Sequence, residues 1–238
     1  MRKIGFLVQL IGLTMLMSCK SGGFGNKGGE ADQPYGEKSG IVTFKTMDMM
    51  GVKVTQTLYF DDYGKKEMRE TMVEGNMSGM EMRQHTIDIR DGFTMYHYEL
   101  ENKTGGQDRA TKNVYKSTLT PELLEQINVS KYSDKLKTKL SYKDEGKETV
   151  AGVEGTKYSI APDSTNLENR ITGVHYKNIP IKISMGPMEI IADKIEFGVS
   201  IPAEKFKVPE GYTIVEQPKE QMPQMPSEEP MGTEPEKK

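Results

Sequence analysis

The sequence predicts a mainly β domain of the α+β class, organised as an antiparallel sheet. Three observations carry that reading. In VKVTQTLYF, residues 52–60, the side chains of Val52, Val54, Leu58 and Phe60 fall on one side of an extended chain and Lys53, Thr55, Thr57 and Tyr59 on the other, the period-two pattern of a half-buried strand. Turn-forming groups interrupt such runs at short intervals, leaving connections too short for helical crossovers, so neighbouring strands run antiparallel. The composition, 35% apolar and 28% charged with no tryptophan, supports only a thin core, which suits a sheet wet on one face.

Residues 1–18 read as an export signal. Arg2 and Lys3 give a cationic start, residues 4–16 an apolar run too short to remain as a membrane span, and Ser18 followed by Cys19 a cleavage point, with Met17 where a smaller residue is usual. Cys19 is the one cysteine in the chain, so it has no internal disulfide partner. Its position is where bacterial lipoprotein processing cleaves and attaches lipid. One acyl chain binds a membrane only marginally, so the diacylglycerol and N-linked palmitate-type chain of a mature lipoprotein would supply stable anchoring. Lys20 in place of Asp after the cysteine points to the outer membrane, and to the periplasmic side of it. Residues 19–39, the lipidated cysteine and a Gly-rich polar stretch, read as a flexible tether.

The β-rich domain is expected over residues 40–215. Reversals are expected at Met50 and Gly51, at residues 62–65, at Asp91 and Gly92, at Glu145 and Gly146, and at Gly186 and Pro187, the glycines supplying positive φ. HTIDIRDGFTMYHYEL, residues 85–100, is the clearest hairpin, with Ile87 and Ile89 entering the turn and Tyr96 and Tyr98 leaving it. Further strands are expected near 66–73, 111–116, 136–142, 148–160, 173–185 and 188–201. One helix interrupts them: Thr120 is an N-cap, Pro121 opens the first turn, and Leu123, Leu124 and Ile127 share a side. A short strand is expected after Tyr212. Residues 216–238, dense in Pro, Glu, Lys and Met, read as a disordered tail.

Three stretches, YFDDYGKKE at 59–67, VHYKNIPIK at 174–182 and IPAEKFKVPEGY at 201–212, resemble a family of bacterial lipoproteins of unknown function whose fold is similar to that of LolA and LolB. The resemblance implies an incomplete β-barrel, a curved antiparallel sheet with one or a few short helices on its concave face and an apolar cavity between. In that fold class the cavity often receives acyl chains. The residues that would line it here are Met47, Met49, Val52, Val54, Leu58, Phe60, Met68, Met72, Tyr96, Tyr98, Ile181 and Ile183. The three stretches are turn and strand signatures, so they carry no binding residue over.

The chain's formal charge is -3, and removal of Arg2 and Lys3 lowers it further; no basic patch is expected that would argue for nucleic acid or anionic lipid headgroups as partners. Seventeen methionines are unusual. Met77, Met80, Met82 and His85 have the soft-ligand chemistry of a Cu(I) site, whereas methionine also lines adaptable cavities or fills core gaps. No recognisable nucleophile and base pair stands out among His85, His97 and His175, and Asp61 with Asp62 lacks the remaining ligands of a calcium loop. The triplet at Asp163, Ser164 and Thr165 fits an O-glycosylation pattern but is short enough to match by chance. The expectation is therefore a non-enzymatic envelope lipoprotein without a cofactor, holding a lipid or other apolar ligand. A structural or partner-binding protein with a filled sheet stands as the alternative, and periplasmic Cu(I) binding as a second.

Overall fold

The computed structural model describes residues 33–77, 79–161 and 170–217. The export signal, Ser18, Cys19, residues 19–32 of the tether, the triplet at 163–165 and the tail beyond residue 217 lie outside the described residues. The elements are β1 (Gly40–Phe44), β2 (Met47–Met49), β3 (Val52–Asp61), β4 (Lys66–Met77), β5 (Met80–Asp91), β6 (Thr94–Thr104), β7 (Gln107–Asp108) and β8 (Asn113–Thr118), then helices α1 (Pro121–Gln126) and α2 (Asp134–Lys139). They continue with β9 (Lys143–Val150), β10 (Val153–Ile160), β11 (Ile171–Tyr176), β12 (Ile179–Met185), β13 (Met188–Phe197) and β14 (Thr213–Glu216).

All strands join one sheet in the order β14-β8-β6-β5-β4-β3-β1-β13-β12-β11-β10-β9, with β2 added to β3 and β7 to β6. The ends of this order do not pair with each other, so the sheet is not closed. Its pairings are antiparallel except β14 with β8, which corrects the all-antiparallel expectation. The reason is the connection. Residues 198–212 do not turn back as a hairpin; they cross the sheet and deliver β14 beside β8 at the far edge. Ile201, Phe206, Val199, Val208 and Tyr212 of that crossing cover Met68, Ile87, Ile89, Tyr98 and Val114, a cluster on what is here termed the outer face.

Several local expectations change. The expected strands at 148–160 and 173–185 are each a hairpin, reversing at Ala151 and Gly152 and at Lys177 and Asn178, all at positive φ as tight hairpin turns require. Glu145 and Gly146 do not reverse the chain. They form a bulge in β9, two residues opposite Lys157 alone, since Lys147 pairs with Thr156 and Asp144 with Tyr158. The strand expected at 136–142 is instead α2. KLKTKL fits both periods, with Leu136 and Leu140 two steps apart on a strand face or one turn apart on a helix. The cap decides: Ser133 Oγ accepts from the Leu136 amide, and both leucines are buried against Tyr158 and Ile160. Helix α1 forms as expected, with Thr120 Oγ1 accepting from the Leu123 amide. At six residues each, neither helix would persist in water alone; α2 is held by Leu136 and Leu140 against Tyr158 and Ile160 of β10, with Ile171 of β11 beside them.

The C-terminal end of the expected tether is also corrected. Residues 33–39 are docked, because Tyr35 offers enough apolar ring to enter the core. It is 7% exposed and meets Phe60 edge-on with ring centres 5.0 Å apart. Its amide donates to the Tyr63 carbonyl, the Gly36 amide to that of Lys177, and its hydroxyl to Glu67 Oε1 at 2.9 Å. Gly64, at φ 79°, lies so close beneath the ring that a Cβ there would overlap it. Loss of a buried aromatic ring costs about 3–5 kcal/mol, whereas loss of one hydrogen bond costs about 1 kcal/mol. Urea denaturation should place Tyr35→Ala and Tyr35→Phe in those two ranges. Equal, small losses would show that the segment is not part of the core.

Candidate functional site

The inner face of the sheet is where the resemblance places a cavity. Register fixes its membership: Val52, Val54, Gln56, Leu58 and Phe60 of β3 lie beside Gly75, Val73, Thr71, Arg69 and Glu67 of β4, and those beside Met82, Gln84, Thr86, Asp88 and Arg90 of β5. Along β1 and β3 this face is apolar, and it is covered. Val42, Phe44, Leu58 and Phe60 pack with Tyr35 and with Val150, Val174, Ile179, Ile181, Ile190 and Ala192 from β9, β11, β12 and β13. Val52, Val54, Val73 and Met82 form a second buried cluster towards one end. The expected acyl-chain space is thus occupied by the protein's own side chains.

The candidate lining residues do not share one chamber. Val52, Val54, Leu58, Phe60 and Ile181 are core, Met47 packs against both inner clusters, and Ile183 and Met49 are half-buried. Met68, Met72, Tyr96 and Tyr98 occupy the opposite face: Met68 pairs with Tyr59 and Ile89, Met72 with Thr55 and His85, and Tyr98 with Ile87. The choice of residues treated buried alternation on several strands as one surface, although each strand has two. Among the described residues, an open depression of about 440 Å³ is bounded by Thr46, Lys53, Thr55, Met72 and Glu74, on the outer face. A second, of about 50 Å³, is bounded by Glu148, Lys157, Thr172, Gly173, Val174 and Lys182. Both carry charged walls, and neither is an apolar chamber.

The copper constellation separates for the same reason. Met82 belongs to the inner cluster with Val52, Val54 and Val73, whereas His85, three residues on, lies on the outer face, its Nε2 2.8 Å from Glu70 Oε1. Met80 is 40% exposed at the hairpin end, opposite Met77 in the register. A strand with alternating side chains cannot bring Met82 and His85 to one ion without breaking its ladder.

Beyond the apolar half, the inner face becomes a polar strip. Gln56 Nε2 donates to Thr71 Oγ1 at 3.2 Å, and both residues are buried. Gln84 Nε2 donates to Asn102 Oδ1 at 3.3 Å, and Asn102 Nδ2 to both oxygens of Glu99 at 2.9 and 3.0 Å. His97 Nδ1 is 2.8 Å from Asp88 Oδ1. A bulge at Leu100 in β6 allows Glu99 and Asn102 to lie on the same face, opposite Thr86 and Gln84. At the strip's end, Arg90 donates to the Gly64 carbonyl at 2.7 Å and to Glu67 Oε2, a nearly buried pair beneath Tyr35. Gln84 Oε1 is buried with no donor among the described residues.

None of this strip was singled out from the sequence, yet part of it was accessible. Counting back equally from the turn between Asp91 and Thr94 pairs Asp88 with His97, and Arg90 with Met95. The bulge at Leu100 breaks that count, so the partners of Glu99 and Asn102 carried no such signal. His97 and His85 thus each have a carboxylate partner, Asp88 and Glu70. A general base also needs a substrate or nucleophile within reach, and among the described residues no hydroxyl or thiol bonds to His97.

No family model matches the chain, and neither does any curated protein. Solved structures do. A chain in the complex of Pseudomonas aeruginosa MucA and MucB is similar at a TM-score of 0.43 and 12% identity, over 78% of this chain and 60% of that one. This chain thus spans less than two thirds of the matched chain's length.

The two histidines outside the copper constellation sit in opposite electrostatic settings. The hydrogen bond to Asp88 raises the His97 pKa above its ordinary 6.5, and the charges of Asp88 and Glu99 add to this against partial burial. Burial lowers that of His175, with Lys147 reinforcing it, and its Nδ1 is buried without a partner among the described residues. The His97 contribution to stability is present below the unfolded value and lost as pH rises through the folded one. Titration followed by imidazole NMR should give His97 a midpoint above 6.5 and His175 one below it, with Asp88→Asn returning His97 towards 6.5. Coincident midpoints would refute the pairing.

Proposed function

We propose that the chain is an exported envelope lipoprotein, anchored through Cys19 in the outer membrane on its periplasmic side, that binds a protein partner without catalysing a reaction. The observation that supports it best is the division of the inner face: filled by its own side chains where it is apolar, and half-exposed at the polar residues of β5 and β6, namely Gln84, Thr86, Asp88, His97, Glu99 and Asn102. A half-exposed strip of hydrogen-bonding groups suits a macromolecular surface, since small ligands require concave enclosure to bury most of their area. The strip offers acceptors. Glu99 presents a carboxylate, and Asp88 is shared with His97, whose side chain is 45% exposed. A partner presenting backbone amides or basic side chains would complete them.

Burial of an acyl chain, the other use of such a sheet, needs an apolar void, and the side chains that would line one are in contact with each other. The anchoring half rests on the order of charge, apolar run, Ser18 and Cys19.

Each half has its own test. Metabolic labelling with palmitate should mark the wild-type chain in a bacterial host and leave Cys19→Ser unmarked; label retained in the variant would refute lipidation at that residue. For the partner, a photoreactive amino acid at Glu99, or at Tyr115, which pairs with His97 on the same face, should give the same discrete adduct in cells, and one at Lys53 on the outer face should not. The adduct should be lost when Gln84→Arg fills the strip. Equal crosslinking from position 53 would contradict the assignment.

A further inference from the structure

We propose that the lysine-rich surface of residues 129–143 rests on the anionic headgroups of the leaflet that holds the Cys19 anchor, and so sets which side of the domain faces the membrane. The proposal rests on the anchoring reading above. It also corrects the expectation that charge argues for no such contact, because the chain's total of -3 conceals a local excess. Lys131, Lys135, Lys137, Lys139 and Lys143 fall in thirteen residues with a single acid, Asp134.

Folding sorts them. Leu136 and Leu140 turn inward onto Tyr158 and Ile160, while Lys135, Lys139 and Lys143 are exposed and Lys131 and Lys137 half-exposed. Lys137 lies over the Tyr142 ring, 5.8 Å from its centre, which leaves its charge at the surface. Asp134 opens α2 within the run, and two of the flanking acids accept from backbone amides. Glu125 accepts from the Ser133 amide, Asp144 from the Gly146 amide on β9, and Glu145 is in the β9 bulge.

The same surface is where the chain leaves the domain towards its N-terminus. Lys131 Nζ donates to the Gln33 carbonyl and Asn128 Nδ2 to that of Pro34 at 3.0 Å. Thirteen residues lie between Cys19 and Gln33, and the fourteen steps between them span at most about 50 Å when fully extended and about 20 Å as a Gly-rich coil. The anchor therefore confines this surface near the bilayer. Attraction between lysines and anionic headgroups acts only within a Debye length of about 8–10 Å. Tethering makes even a weak contact effective, because the second encounter is intramolecular.

Cys19 as the one thiol allows a direct test. The chain from Cys19 onward is coupled through that thiol to a maleimide lipid, in vesicles of phosphatidylglycerol with phosphatidylcholine or of phosphatidylcholine alone. Amide hydrogen exchange is then followed. Exchange in residues 129–143 should slow several-fold on the anionic vesicles only, return to the free rate in high salt, and stay fast in Lys135→Gln/Lys139→Gln, whose substitutions are at exposed positions. Equal protection on both vesicles, or none on either, would overturn the proposal. Protection by soluble polyglutamate equal to that by vesicles would also overturn it, assigning the surface to an acidic protein. The coupling supplies the anchor chemically, so a negative result here leaves lipidation standing, and a failed palmitate labelling leaves this result intact.

Discussion

The structure depends on β1. It is the seam of the sheet, paired on one side with β3 from the N-terminal meander and on the other with β13, the last long strand. Val42 at its centre is fully buried, opposite Leu58 and Ile195. Each half alone would be a meander with a bare apolar stripe. Joined at the seam, the two halves turn those stripes on each other, and Phe44, Leu58 and Phe60 meet Ile179, Ile181 and Ile190. Burial at about 25 cal/mol per Å² is the main stabilising contribution available to a chain with so few large apolar residues.

Two consequences follow from the seam. Residues 33–39 lead directly into β1, so Tyr35 is delivered to the edge of the joined core, where it closes over Phe60 and over the Glu67 and Arg90 pair. Such a pair is strongly destabilising if one partner is lost, so the segment that shields it is bound into the same cooperative unit. Leaving β13, the chain is in mid-sheet with both neighbours taken. It exits over the outer face, covering Met68, Ile87 and Ile89, and reaches β8 from the wrong direction for an antiparallel pairing. One seam thus accounts for the filled inner face, the covered outer one and the parallel edge strand.

Most of the sheet was legible because its strands alternate cleanly: the faces of β3 read directly from VKVTQTLYF, and the hairpin at Asp91 and Gly92 is where the period breaks. Where two periods fit the same letters, as in KLKTKL, pattern alone failed and a capping serine decided. The candidate cavity failed for a different reason. Alternation shows that Met68 and Leu58 are each buried, but only register shows that they are buried on opposite faces. Tyr35 was hidden by its surroundings, a single aromatic in a glycine-rich run whose average forbids a core while one ring enters it. The polar strip needed both a register and a bulge, and the bulge at Leu100 leaves no mark in the sequence.

The central claim is that the space between the halves of the sheet is already full. Titration of the purified chain with a fluorescent fatty-acid probe tests it most directly. The account predicts no saturable binding by the wild-type chain, and a gain of binding in Tyr35→Ala, where removal of the ring opens the edge of the core. Stoichiometric, saturable uptake of the probe by the wild-type chain would contradict it.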